Sequence, residues 1–209
     1  MRERKKIRLR DYDYSGAGGY FVTICTFNRQ YLLGKIANQE IVLNDIGKIA
    51  EQWWLKLENK FTNTTLDYYV IMPNHIHGII IISGGRTDVG AIHELPLQRH
   101  KIERRRMLIP KMIGYFKMNA AKYINQLHGA AGHLFWQRNY YEHIIRNENE
   151  LNRIREYIRN NPLKWDLDRE NPLSKNFNLE HNRYWKGVYD YRRGNSCLRG
   201  KTYHSGMQA

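Results

Sequence analysis

The 209-residue sequence carries 34 Lys and Arg against 20 Asp and Glu, a formal charge of +14, and its length suits one domain with an appendage. Its two cysteines, Cys25 and Cys197, stand far apart and outside any CxxC pair. That weighs against a zinc ribbon or disulfide framework and reads as a reduced, cytoplasmic chain. No apolar run reaches about 18 residues, and the basic start lacks an apolar core and cleavage site, so neither a membrane span nor a secretory signal is expected.

In chain order, Ser15–Gly19 reads as a turn, and Tyr20–Phe27 (YFVTICTF) as a strand rich in β-branched and aromatic residues. Tyr31–Ile36 and Glu40–Leu43 suggest a hairpin around Asn38. Asn44 or Asp45 caps a predicted helix to about Asn59, with Ile46, Ile49, Trp53 and Leu57 at helical spacing. Leu66–Met72 is the next strand, Pro73-Asn74 breaks it, and His75–Ile82 (HIHGIIII) follows. That run is apolar on both faces, as in a central strand. Residues 84–106 are polar, basic and aperiodic, as in a loop. A helix is predicted from about Met107 to Leu127, with Ile113, Phe116, Ala120 and Tyr123 on one side. Trp136–Ile144 is ambiguous, a short extended piece. Asn147 opens the last helix, Glu148 and Glu150 suit its positive end, and Asn161-Pro162 closes it. Hairpins interleaved with helices give an α+β fold with an antiparallel sheet and helices mainly on one face.

The positive charge peaks in three places: the N-terminal MRERKKIRLR, the run Arg99–Arg106, and the tail with Arg183, Lys186, Arg192, Arg193, Arg199 and Lys201. Any one cluster is compatible with a solvated surface. Three, in a chain with 15 Tyr and 5 Trp, favour nucleic acid, whose phosphates take cations and whose bases stack on rings.

Two residue patterns carry chemistry. Alternate residues of a strand share a face, so His75 and His77 place two imidazoles side by side, with Ile76 on the other face. Such a pair suits a divalent metal, while two ordinary partly buried histidines remain the bland alternative. On the last helix, positions four apart stack, so Tyr157 and Asn161 point the same way, and Asn161 offers an amide oxygen as a third ligand. A phenol beside a metal-bound phosphodiester is a nucleophile. The competing reading packs Tyr157 in the core beside Ile154 and Ile158. Tyr140 and Tyr141 form an alternative nucleophile pair without an amide four residues on. Glu142 and His143 read as structural. Trp136, Tyr184 and Trp185 suit base stacking and core packing equally.

The run YVIMPNHIHG (Tyr69–Gly78) resembles the HUH motif of single-tyrosine transposases, and Trp136–Trp165 (WQRNYYEHIIRNENELNRIREYIRNNPLKW) resembles the C-terminal signature of the REP-associated tyrosine transposases. The resemblance covers about Tyr20–Trp165. It implies an RRM-like or ferredoxin-like sheet with the HUH strand central and the tyrosine helix near it. The implied activity is cleavage and rejoining of single-stranded DNA hairpins, namely repetitive palindromic elements, through a 5′-phosphotyrosine and a free 3′-OH. Tyr157 carries over as nucleophile and His75 and His77 as ligands of Mg²⁺ or Mn²⁺. Related insertion-sequence enzymes place glutamine where Asn161 stands, a shorter side chain here. No organic cofactor or membrane is implied, the expected place is the cytoplasm at the nucleoid, and monomer and homodimer are both open.

Residues 1–165 are thus expected to form the catalytic domain and 166–209 a basic, aromatic DNA-contacting tail. Candidate DNA contacts are Arg4, Lys5, Lys6, Arg104, Arg105, Arg106, Lys117, Arg138, Arg153, Arg192 and Arg193. A replication-initiator or relaxase nickase shares the HUH pair but usually adds domains that 209 residues leave no room for. A non-catalytic binder on an RRM-like sheet needs no Tyr157 and wants aromatics on the central strands. A water-using metal nuclease survives loss of Tyr157.

Overall fold

The computed structural model describes residues 12–84, 107–129 and 132–174. Among these residues six strands form: β1 (Gly18–Cys25), β2 (Gly34–Ala37), β3 (Glu40–Leu43), β4 (Thr64–Met72), β5 (His75–Ile82) and β6 (Tyr141–Ile145). Three helices alternate with them: α1 (Asp45–Lys60), α2 (Leu108–Leu127) and α3 (Glu148–Asn160). Short 3₁₀ turns occupy Phe27–Arg29 and Pro162–Leu167.

Four strands form one antiparallel sheet in the order β4-β5-β1-β6, and β2 pairs with β3 in a separate hairpin. With that hairpin set aside, the chain runs β1-α1-β4-β5-α2-β6, the split βαβ arrangement expected of a ferredoxin-like sheet. The continuous isoleucine run of β5 is explained by its place between β4 and β1, where both of its faces are covered.

The two faces of the sheet take different helices. Tyr20, Val22, Ile24, Ile76 and Ile80 meet α1 and α2, whose buried stripes include Ala50, Trp54 and Leu57 on one helix and Met112, Ile113, Phe116 and Ala120 on the other. Ile124 completes the α2 stripe. Tyr123, expected on that side, sits at the rim, 48 % exposed, with its ring 5.2 Å from Trp53. The opposite face, with Phe21 and Ile79, is covered by Ile154 and Ile158 of α3. Two of the three helices therefore share a face, and the third lies over the side that carries the histidines.

Two segments differ from the sequence expectation. The piece read as ambiguous at 136–144 is the fourth sheet strand, shifted to Tyr141–Ile145, and Trp136 only bridges Thr26. Local sequence left it undecided because β6 is short and gains its ladder only from β1, more than a hundred residues earlier. The first hairpin strand starts at Gly34 rather than Tyr31, and the Tyr31 hydroxyl instead donates to Asn171 Oδ1 at 2.7 Å.

The caps behave as read. Asn44 accepts from the Gly47 N–H at the start of α1, and Asn147 accepts from the Glu150 N–H at the start of α3, both at 2.9 Å. Glu150 reaches back to the Arg146 N–H at 2.7 Å and to His143 Nε2 at 2.8 Å. This pins the first turn of α3 to β6 and sets the direction in which the helix crosses the sheet. No helix among the described residues is long and apolar enough to cross a membrane.

Candidate active site and metal centre

His75 and His77 open β5 on the face that α3 covers, and both are buried. Their ring centroids lie 4.3 Å apart. Each imidazole is oriented through Nδ1. The His75 Nδ1 lies 2.7 Å from Asn74 Oδ1, and the His77 Nδ1 lies 2.8 Å from Thr23 Oγ1. An Nδ1–H held by an oxygen fixes the tautomer that leaves the Nε2 lone pair available, as in metal-ligating histidines. Burial pushes the His75 imidazole down to about 3, with His77 adding to the shift, so it stays neutral, the form that ligates.

Tyr157 projects from α3 into this pair. Its hydroxyl is 3.2 Å from His77 Nε2 and 3.4 Å from Asp168 Oδ2, and its ring packs against Phe21 and His77. Tyr157 thus lies beside the two histidines within the one chain. Burial raises the phenol well above its ordinary value, and the nearby carboxylates of Asp168 and Glu170 add to this, against a hydrogen bond from Asn161. The phenol is therefore held in its protonated form.

Asp168 was not singled out in the sequence. It follows the Pro162–Leu167 turn, which folds the chain back under α3, and it is 5 % exposed. Its Oδ2 accepts from Asn161 Nδ2 at 2.8 Å and lies 4.0 Å from His77 Nε2. Burial alone would raise its carboxyl, but His75, His77 and the Asn161 amide outweigh that and hold it well below the usual carboxylate range. His75, His77 and Asp168 offer ligand atoms all within 4.8 Å of one another. Two buried polar atoms of the cluster, His75 Nε2 and Asn161 Oδ1, have no hydrogen-bond partner among the described residues. Two imidazoles, one of them with an orphaned Nε2, a carboxylate and the orphaned Asn161 amide oxygen fit a divalent cation. The expected third ligand, Asn161, lies in the cluster as the C-cap of α3, joined by a carboxylate that spacing gave no sign of.

The other candidates fall into three groups. Lys117 donates to the carbonyls of Gln137 and Asn139 at 2.7 and 2.9 Å, fixing the segment ahead of β6. Arg138 and Arg153 are exposed, and Arg153 lies one turn before Tyr157 on the same helix flank. Arg4, Lys5, Lys6, Arg104, Arg105, Arg106, Arg192 and Arg193 lie outside the described residues, as do Tyr184 and Trp185. Trp136 is core, with its ring 5.2 Å from Phe116. Tyr141 packs on Phe21 in β6, and of the three tyrosines considered Tyr157 is the one hydrogen-bonded to His77.

No family model matches the chain. Among solved structures it is similar to a REP-associated tyrosine transposase bound to a REP hairpin, with 19 % identity and a TM-score of 0.49 over 76 % of this chain and 73 % of that one. It is also similar to a candidate transposase of Deinococcus radiodurans R1, with 16 % identity and a TM-score of 0.39 over 73 % of this chain and 95 % of that one. Among curated proteins it is 39 % identical over 170 residues to an uncharacterised protein of Haemophilus influenzae, covering 80 % of this chain and 93 % of the relative. The chain belongs to the same protein family as that Haemophilus influenzae protein.

Proposed function

We propose that this chain is a single-tyrosine HUH strand transferase of the REP-associated type, which cleaves and rejoins single-stranded DNA hairpins through a 5′-phosphotyrosine. The observation that carries the reading is the Tyr157 hydroxyl at 3.2 Å from His77 Nε2 and 3.4 Å from Asp168 Oδ2. A core tyrosine on this helix would need one hydrogen-bond partner; this one is aimed at a set of metal-competent donors. The motif resemblance over Tyr69–Gly78 and Trp136–Trp165 points to the same chemistry.

In this reading His75, His77 and Asp168 hold the cation, with the Asn161 carbonyl oxygen beside them. The bound cation would polarise the phosphodiester and neutralise charge developing on its oxygens. Two imidazoles among the donors favour Mn²⁺ over Mg²⁺, which prefers oxygen ligands and gives up water reluctantly. The Tyr157 oxygen attacks phosphorus, the P–O3′ bond breaks, and the 3′-oxygen leaves to become the free 3′-OH. Asp168 Oδ2, which accepts from the Tyr157 hydroxyl, orients the phenol at the cation, and the proton the phenol gives up is balanced by the one the 3′-oxygen gains. Phe21 and Ile154, packed around the ring and helix, exclude water from the attacking side, which favours rejoining over hydrolysis of the phosphotyrosine.

Labelled single-stranded hairpins incubated with Mn²⁺ and resolved on a denaturing gel test this. A covalent protein–DNA band in wild type, absent in Tyr157→Phe, in His75→Ala and in EDTA, supports strand transfer. Cleavage that persists in Tyr157→Phe without a covalent band overturns it in favour of attack by water.

A further inference from the structure

We propose that Arg29, Tyr31 and Trp165 form a seat for one nucleotide of a single strand, beside the phosphate that Tyr157 attacks, with Arg29 on its phosphate and the two rings on its base. The proposal rests on the strand-transfer reading above and adds a place where the strand is held.

Trp165 stacks on the His75 imidazole, with centroids 6.1 Å apart and planes 28° from parallel, and Tyr31 meets the edge of Trp165 at 5.6 Å. A row of rings thus runs outward from the buried metal-site histidine to a tyrosine that is 44 % exposed. Such a row, open at one end, offers a π-face to any base.

Arg29 stands on the same rim. Its guanidinium is 2.8 Å from Glu170 Oε2, yet the side chain is 40 % exposed. Its backbone is unusual: Asn28 and Arg29 are consecutive non-glycine residues in the left-handed region, at φ 52° and 55°. Held strain of this kind clusters at functional sites. The fold secures it with side chains. Asn74 Nδ2 donates to the Arg29 carbonyl at 3.1 Å and to the Glu170 carbonyl at 2.7 Å, while Asn74 Oδ1 meets His75 Nδ1. One buried amide therefore joins the arginine turn, the segment after Trp165 and the metal-site histidine. Asn171 completes the frame, accepting from the Tyr31 hydroxyl and donating to the Trp165 carbonyl at 2.9 Å.

Charge gives the arginine its role. The carboxylates of Asp168, 3.4 Å from the Tyr157 hydroxyl, and of Glu170, at the rim, would repel an incoming phosphodiester. Arg29, paired with one of them at the rim, offsets that repulsion and has donors left over for a phosphate oxygen.

The test uses the full chain in a Tyr157→Phe background with EDTA, which separates binding from chemistry. Anisotropy of a fluorescein-labelled single-stranded oligothymidine and of a duplex of equal length is measured against salt. Arg29→Gln is expected to weaken single-strand binding about tenfold and to lower the salt slope by about 0.7, one phosphate's share. Tyr31→Leu is expected to weaken it about tenfold with the slope unchanged, and Tyr31→Phe, which keeps the ring, to stay within about twofold of the parent. Duplex affinity stays constant throughout. Unchanged single-strand affinity in Arg29→Gln and Tyr31→Leu, equal losses on duplex, or a loss in Tyr31→Phe matching that in Tyr31→Leu overturns the seat. The adduct assay on wild type keeps the two readings apart. No adduct with Arg29- and Tyr31-dependent binding sinks strand transfer alone, and an adduct with no effect of these variants sinks the seat alone.

Discussion

Thr23 shows how much a single side chain decides. It faces α3 from β1 only because it pairs with His77 across the β1–β5 ladder, and its hydroxyl, 2.8 Å from His77 Nδ1, sets which imidazole nitrogen faces Tyr157. Thr23→Val keeps the shape and removes that hydrogen bond. It is expected to lower Mn²⁺ affinity by about tenfold, within the range for groups that orient metal ligands. Asp168→Asn, which removes a charged donor, is expected to cost more than Thr23→Val. Electron paramagnetic resonance of free Mn²⁺ during titration reads both, and equal affinity in Asp168→Asn and wild type would remove Asp168 from the ligand set.

At the scale of elements, the site depends on how α3 is fastened to the sheet. Its first turn is held by the Asn147 cap and by Glu150, whose carboxylate bridges the Arg146 N–H and the buried His143. Burial would raise the Glu150 carboxyl, but the bonds from His143 and Arg146 outweigh it and lower it from 4.5. The folded value lies below the unfolded one, so the contribution to stability is full above about pH 4.5 and is lost as pH falls through the folded value. Glu150→Gln is therefore expected to lose about 1–3 kcal/mol at pH 7. The gap to wild type narrows below pH 4.5, as read by urea denaturation across pH. The other face of β5 has its own constraint. A Cβ at Gly78 would lie 2.3 Å from Trp54 Cζ2, so the indole of α1 packs directly on the strand backbone. Gly78→Ala forces the two apart and is expected to cost about 1–3 kcal/mol, seen as a lower denaturation midpoint with an unchanged m-value.

For the molecule as a whole, a charge of +14 makes electrostatics the first contributor to any nucleic-acid affinity. Each phosphate neutralised on a single strand contributes about 0.7 to the slope of log affinity against log salt, so contact with four or more phosphates gives a slope of about −3 or steeper. A slope near zero would show that the excess charge plays no part in binding. The sheet divides the molecule's work. The α1/α2 face supplies the larger hydrophobic cluster, and the α3 face carries the smaller cluster together with every group of the candidate site. Substitutions that loosen α3 are thus expected to affect the site before the global fold.

Local sequence was enough for most of the elements and for the shared facing of the paired residues in the candidate site. The period of two in HIH put both imidazoles on one face. The apolar run of β5 marked it as central, and Asn147 and Pro162 bracketed the helix that presents Tyr157 and Asn161 four residues apart. These are properties of neighbours in the chain, set by strand and helix periodicity and by proline and capping chemistry. What depended on distant pairing was not legible. The short β6 needed β1 to declare itself a strand, and only packing decided that α3 takes the face opposite α1 and α2. Asp168 joins the histidines because a 3₁₀ turn after Pro162 folds the chain back beneath α3, and the row from His75 through Trp165 to Tyr31 assembles three segments. No periodicity links residues 31, 75, 165 and 168; the site closes where burial brings their segments together, and that is decided by the tertiary structure alone.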